Sequence, residues 1–349
     1  MPRTVAGNPD IGHDGSLQAG ISRHALRNRS GRSQVSQLPL IDVHHHALPE
    51  VYTTALAQRG ITEAIPGQDF PSWTPDLSLQ FMDAHHIHKA YLSITAPGFA
   101  GLSGSDAIDL AQDVNSWLAN LSRDSAGRFG AFAMVPIDSA RTARATAVAA
   151  IEEMQLDGVG LYTSTVGQYL GSADLDPLWD YLEIQQVPVF IHPVVGPSAV
   201  PDFGLPASIL EFPIETARAV ASFLFSGRLD RFSNLKLIFT HAGGALPTLL
   251  HRLTLRSSVD PGLALRPPRD LMASFRRLYF DLAMSAAPGN LEALRSLIST
   301  DRLLFGSDFP LQDTSYAGEN ADTVYSTDLA RQTTTNAQRL FTRHPGGPA

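Results

Sequence analysis

Eight short apolar runs, the first seven each trailed by a stretch with apolar residues at three- and four-residue spacing, constrain this chain more than any other feature. The runs cover residues 40–46, 89–95, 129–135, 158–162, 187–192, 235–241, 278–282 and 303–307. Their near-continuous apolar character is that of strands buried on both faces. Helical spacing covers 76–86, 106–123, 139–155, 176–186, 213–225, 246–253 and 291–298, with Ser139 and Asp176 as expected N-caps and Pro177 at a first helical position. Strand–helix alternation on this scale predicts an α/β chain closed into a (β/α)₈ TIM barrel. An open doubly wound sheet competes, but no glycine-rich phosphate fingerprint follows the first run.

The barrel is assigned to residues 37–343. Residues 1–36 are rich in Gly, Ser, Asn and Arg without apolar periodicity and are expected to form a disordered arm, and 344–349 a flexible tail. With 44% hydrophobic residues the chain can fill a large core. A net charge of −8 with no basic block excludes nucleic acid and an anionic membrane surface as expected partners. No apolar run approaches the ~20 residues that span a bilayer. The chain contains no cysteine, which excludes disulfides and thiolate metal ligands and suits the reducing cytoplasm, the expected location.

Polar residues collect where the apolar runs end, on the rim where a barrel carries its active site. The first run ends Asp42-Val43-His44-His45-His46. Side chains alternate along a strand, so His44 and His46 share a face, His45 takes the other, and Asp42 lies on the first face one step deeper, where it could orient a ligand. The fifth run ends in His192, the sixth in His241 followed by Ala242-Gly243-Gly244, and the eighth is followed by Asp308. Each signal alone is weak. A rim histidine is commonly just polar, and a strand-end aspartate commonly caps a helix. Their coincidence on four strands points to one divalent cation held by N and O donors, Zn²⁺ in first place with Mn²⁺ as the alternative. Two-metal barrels often bridge their ions with a carboxylated lysine on the fourth strand. Here the only lysines, Lys89 and Lys236, fall at strand starts, so a single ion is expected.

The segments IDVHHHALPE, VPVFIHP, EFPIETARAVASFLFSGRLDRFSNLKLIFTHAGGALP, RRLYFDLA and LLFGSDFP resemble the amidohydrolase superfamily. Within it they are similar to the 2-amino-3-carboxymuconate-6-semialdehyde decarboxylase family, with GVGLYTS closest to its 6-methylsalicylate decarboxylase branch. The resemblance implies His44, His46, His192 and Asp308 as metal ligands, with His241 and Asp308 as catalytic residues. It implies that Arg252 reaches into a neighbour's site to hold the substrate carboxylate, and hence a homodimer or higher oligomer. Phe309 would pack on the substrate ring, with Trp73 and Tyr162 as further lining and Asp281 as polar lining or a structural hydrogen-bonding group. Only Arg59 is basic between His46 and Lys89, which argues against a highly charged muconate substrate. The expected reaction is non-oxidative decarboxylation of a small aromatic carboxylate, 6-methylsalicylate to m-cresol and CO₂. Metal-dependent hydrolysis of a lactone, ester or amide is the rival, and a non-catalytic binding barrel the third reading. The cluster His85, His86 and His88 precedes the second strand and is read as surface or packing.

Overall fold

The computed structural model describes residues 39–165, 167–196, 204–257, 259, 268–312, 314–327 and 329–342. The expected arm 1–36 and tail 344–349 lie outside these residues. Eight strands form one sheet in sequence order, every neighbour parallel: β1 (Leu40–His46), β2 (Ile87–Ser93), β3 (Phe129–Met134), β4 (Gly158–Tyr162), β5 (Pro188–His192), β6 (Lys236–Phe239), β7 (Tyr279–Asp281) and β8 (Leu303–Leu304). The expected strands therefore all form, two with their expected bounds and the others with ends shifted by at most three residues.

The last strand closes on the first. Val43 N–H donates to Phe305 O at 2.9 Å and His46 N–H to Phe309 O at 2.8 Å. In return Asp308 N–H donates to His44 O at 2.8 Å. Asp42 strengthens this seam. Its fully buried carboxylate accepts from the Ser307 hydroxyl at 2.6 Å, the Ser307 N–H at 3.1 Å, the His44 N–H at 3.1 Å and His45 Nδ1 at 3.0 Å. The pairing of β1 with β2 slips between Asp42 and His45, a bulge that turns Asp42 toward Ser307 and His45. Asp42 is thus a clasp for the barrel seam, and the expectation that it orients His44 or His46 from one step deeper gives way to this geometry.

Helices cover the outer face: α1 (Glu50–Ala57), α2 (Pro75–Ala84), α3 (Gly104–Asp124), α4 (Ala140–Val148), α5 (Asp176–Ile184), α6 (Glu211–Ser226), α7 (Arg228–Arg231), α8 (Leu246–Ser257), α9 (Pro268–Phe275), α10 (Pro288–Arg295), α11 (Thr314–Tyr325) and α12 (Leu329–Leu340). The stretch expected as one helix over 139–155 ends in a π turn, Ala149–Glu153. Ser139 caps α4 as expected, accepting from Thr142 N–H at 3.3 Å. Asp176 instead sits inside α5 and pairs with Arg228, at 3.0 Å, and Arg231.

The barrel interior is packed rather than hollow. Ile41, Val43, Phe132, Phe190, Ile238 and Leu304 form a cluster inside the strands, and Ala337 and Leu340 of α12 join it. Phe341, just past α12, stacks on Tyr91 with ring centroids 3.7 Å apart. This closes the N-terminal end and leaves the C-terminal mouth as the accessible one. Over that mouth lies a short antiparallel hairpin, Glu63–Ile65 with Gln68–Asp69.

Asp42→Ala strands a buried hydroxyl, an imidazole N–H and two backbone N–H groups, and is expected to destabilise the fold by ~3 kcal/mol. Chemical denaturation checks this: the midpoint falls while Asp42→Asn, which keeps an acceptor, loses less.

Candidate metal centre

The C-terminal ends of β1, β5, β6, β7 and the segment after β8 converge on the mouth. His44 and His46 leave β1 on the same face, with their Nε2 atoms 3.0 Å apart. Asp308 Oδ1 stands 3.1 Å from His44 Nε2 and 3.1 Å from His46 Nε2. His192 closes on the same point, its ring centroid 4.7 Å from that of His46 and 5.3 Å from that of His44. One donor atom from each of His44, His192, His241 and Asp308 fits within a 4.8 Å group, the one such group among the described residues. All five side chains are buried.

Each of the three histidines is aimed by its other ring nitrogen. His44 Nδ1 faces Asp281 Oδ2 at 3.1 Å, His46 Nδ1 faces Ser93 Oγ at 3.0 Å, and His192 Nδ1 faces Pro193 O at 2.8 Å. A carboxylate or carbonyl can only accept, so His44 and His192 carry their proton on Nδ1. Ser93 Oγ lies 3.4 Å from His45 O, which accepts its proton and leaves the serine oxygen as acceptor for His46. All three histidines thus turn Nε2 toward one point, the orientation that metal-binding histidines adopt.

The donor set fits a divalent ion. Three N or O donors held ~2.1 Å from one ion at right angles stand ~3.0 Å apart, whereas tetrahedral angles spread them to ~3.4 Å. The His44–His46–Asp308 triangle, with edges of 3.0, 3.1 and 3.1 Å, matches the first spacing.

Electrostatics agree. Burial lowers the pKa of His46 to about 4 and that of His192 well below the ordinary histidine range, so both present neutral imidazoles. Burial pulls His44 down as well, but Asp281 and Asp308 outweigh it and raise its pKa to about 10. For Asp308, burial acts to raise the carboxyl, while His44, His241 and His46 outweigh it and hold it well below the usual carboxylate range. The mouth is thus a place where a buried carboxylate demands a positive charge.

His241 stands beside this cluster with both ring nitrogens buried and without a partner within the protein. Its Nε2 is 3.6 Å from Asp308 Oδ2, and that oxygen also accepts from Gln312 Nε2 at 3.1 Å. Backbone shape sets its position: His241, Ala242, Gly243 and Gly244 all have positive φ. A Cβ on Gly244 would lie 2.2 Å from Pro213 O, so only glycine lets this turn pack against α6. Asp308 also has positive φ (61°), which turns its carboxylate inward. Asp281 ties the two halves of the site, accepting from His44 through Oδ2 and from the backbone N–H of His241, at 3.1 Å, through Oδ1. It thus does what the sequence reading looked for in Asp42.

A cavity of about 270 Å³ opens over the cluster, lined among others by Thr95, His192, Phe212, His241, Asp308 and Gln312. No lysine or arginine is among its described lining residues. Thr95 is fully buried and its hydroxyl has no partner within the protein.

The structure does not bring every expected residue here. Phe309 stacks on Phe81, centroids 4.4 Å apart, behind His45 and away from the cavity. The positive φ of Asp308 sends the two neighbours to opposite sides, and Phe212 supplies the aromatic lining instead. Trp73 donates to Ser78 Oγ at 2.8 Å, which in turn meets His45 Nε2 at 2.8 Å, so both brace β1 from outside the mouth. Tyr162 borders a separate outer cavity. Arg252 lies exposed on α8, outside the lining of this chain's cavity. His85, His86 and His88 form no ligand group among the described residues. Reading the sequence missed Thr95, Phe212 and Gln312. Thr95 was at hand as the end of the second run, whereas a helix-start phenylalanine carries no local mark of its role.

Comparison with known proteins follows the same lines. The amidohydrolase family profile matches residues 41–343. The chain is 33% identical over 320 residues to the 6-methylsalicylic acid decarboxylase acuB of Aspergillus aculeatus, covering 87% of this chain and 96% of that one. It is 35% identical over 285 residues to the decarboxylase yanB of Aspergillus niger, covering 77% of each. A solved amidohydrolase II superposes with a TM-score of 0.80 at 28% identity, over 86% of this chain and 99% of that chain. A dihydroxybenzoic acid decarboxylase from Polaromonas sp. JS666, solved with manganese and 2-nitroresorcinol, has the same fold (TM-score 0.74, 22% identity, 87% and 96% coverage).

The Asp281 contacts generate a prediction. Asp281→Ala frees the His44 ring and is expected to weaken metal affinity by ~10- to 100-fold while the barrel persists. Metal content after dialysis against graded chelator, alongside circular dichroism, checks it.

Proposed function

The chain belongs to the amidohydrolase family, and from that premise we propose that it is a metal-dependent, non-oxidative decarboxylase of salicylate-type aromatic acids, converting 6-methylsalicylate to m-cresol and CO₂. One observation carries the reading: three oriented imidazoles and a carboxylate meet at one point, beside a histidine whose ring nitrogens are unengaged, under a cavity sized for a single ring. The relatives named 6-methylsalicylic acid decarboxylase support the substrate, and the related names support the reaction class.

In this reading His44, His46, His192 and Asp308 hold the ion. Zn²⁺ is the reading from the sulfur-free donor set, and Mn²⁺, supported by the near-right-angled donor spacing, is its rival. A divalent cation here would bind the ortho-hydroxyl and carboxylate oxygens of the substrate and hold the ring in one orientation.

The remaining work falls to the chain's own side chains. Direct loss of CO₂ from an aryl carboxylate would leave an unstabilised aryl anion, so the ring carbon must gain a proton first. His241 is placed to give it: neither ring nitrogen has a hydrogen-bond partner within the protein, and Nε2 lies 3.6 Å from Asp308 Oδ2, at the edge of the cluster. The proton adds to the carbon bearing the carboxylate, assisted by electron donation from the ortho-hydroxyl. The C–C bond then breaks, its electron pair restores aromaticity, and CO₂ departs, so each turnover consumes one proton. Phe212 offers an apolar face to the ring, and the Thr95 hydroxyl is available to a polar substituent.

The cavity's lack of a described basic side chain and the exposure of Arg252 support a homodimer in which Arg252 of each copy meets the carboxylate in the other.

Two predictions follow from these assignments. Wild-type protein releases CO₂ from 6-methylsalicylate and does not acidify lactone solutions; His241→Ala lowers kcat by at least ~10³-fold with metal content still near one per chain by elemental analysis. Acid from lactones without CO₂ would favour the hydrolase. Separately, Arg252→Ala and His241→Ala are each expected to be inactive, while a mixture of the two regains a fraction of wild-type turnover, because one mixed site carries both native residues. A mixture as inactive as its parents, despite verified subunit exchange, would refute the shared site.

A further inference from the structure

The outer cavity is the feature the proposed reaction leaves unused. It is larger than the inner one, about 900 Å³ against about 270 Å³. Ala64, Ile65 and Ala96 line both cavities. The outer one is walled largely by apolar side chains, including Ile61, Phe99, Leu102, Tyr162 and Val194. Ile65 is the largest side chain of the three shared residues. It is held by a small apolar cluster with Ala96 and Phe212, set apart from the main core, against which Val194 and Ala207 also pack. The hairpin carrying Ile65 has only the short strands Glu63–Ile65 and Gln68–Asp69, so this cluster is its apolar anchor at the mouth.

We propose that Ile65 is the partition that limits the size of the alkyl group on the substrate ring, with the outer cavity as the space it withholds. Thr95 and Ala96 are consecutive just past β2, and both line the inner cavity. Its lining combines polar groups, among them Thr95, Asp69 and the histidine–aspartate cluster, with the apolar cluster of Ala96, Ile65 and Phe212. A salicylate whose carboxylate and hydroxyl face the cluster directs the substituent flanking its carboxylate toward Ile65. A methyl group fits against that wall, whereas a longer alkyl chain meets it. Removing the side chain joins the two cavities and gives the chain an apolar channel.

The inference rests on the salicylate reading and is tested so that the two fail separately. Metal-loaded wild type, Ile65→Ala and Ile65→Val are compared on 6-methylsalicylate and 6-pentylsalicylate, by CO₂ release and by calorimetric binding. The ratio of kcat/KM for the pentyl over the methyl acid is expected to rise about tenfold or more in Ile65→Ala, and by less in Ile65→Val, the range that a few methylenes in an apolar pocket command. An unchanged ratio in variants that still decarboxylate 6-methylsalicylate overturns the partition and leaves the reaction standing. If no protein releases CO₂ from either acid, the reaction fails, and the binding ratio alone decides the partition: a shift toward the pentyl acid supports it, while no shift, or no binding of either acid, overturns it.

Discussion

The contact between the first and last barrel strands is the constraint from which the rest of the site follows. His44 and His46 leave β1, while Asp308 follows β8, and nothing local in the chain relates them. They meet because Val43, His46 and Asp308 exchange backbone hydrogen bonds across the seam and because Asp42 gathers four donors there. An open sheet would leave these two strands at opposite edges. Closure therefore creates the donor triangle as well as removing exposed sheet edges. The same seam explains why three consecutive histidines divide their labour. His45 is consumed by Asp42 and Ser78 outside the mouth, which holds β1 in the register that turns His44 and His46 inward.

Orientation is the second layer. An imidazole can present either nitrogen, and the choice is made by what the other one touches. Here an aspartate, a serine and a backbone carbonyl make that choice for His44, His46 and His192. Asp281 extends the same control to the neighbouring strand by holding the His241 backbone, so the ligand cluster and the candidate acid share one rigid support. His241 is the exception: its ring has no hydrogen-bond partner within the protein, and Asp308 stands 3.6 Å away. Buried polar atoms left unpaired cost stability, and their concentration in one mouth marks a place shaped for something the protein binds. The positive φ values of His241, Ala242 and Asp308, none of them glycine, are local backbone strain in the same place.

The cavity over this cluster combines nitrogen and oxygen donors with an apolar cluster of Phe212, Ala96 and Ile65. An aromatic acid with a polar edge and an apolar edge has one favourable orientation in such a space. The hairpin over the mouth belongs to the loop between α1 and α2, so specificity in this architecture is carried by a connection while the reactive groups stay on strand ends.

Much of this was determined by the sequence alone. The eight apolar runs became the eight strands, since a strand covered on both faces must be apolar throughout and no other element this short is. His44, His46, His192, His241 and Asp308 were legible as a group because strand ends of one parallel sheet share one rim. Helices α1, α7, α9, α11 and α12 escaped notice. In α12, buried polar residues such as Thr333 and Asn336 obscure the apolar stripe; Asn336 spends its amide on the carbonyls of Thr300 and Leu303, and no linear pattern encodes that pairing. Only the tertiary structure decided the fates of Asp42, Asp281 and Phe309. A bulge turned the first away from the ligands, the second reached His44 across the barrel from 237 residues away, and a left-handed backbone at Asp308 sent the third into the core. Periodicity reports which face a side chain occupies; what it touches there depends on register, strain and closure, which exist only once distant segments have met.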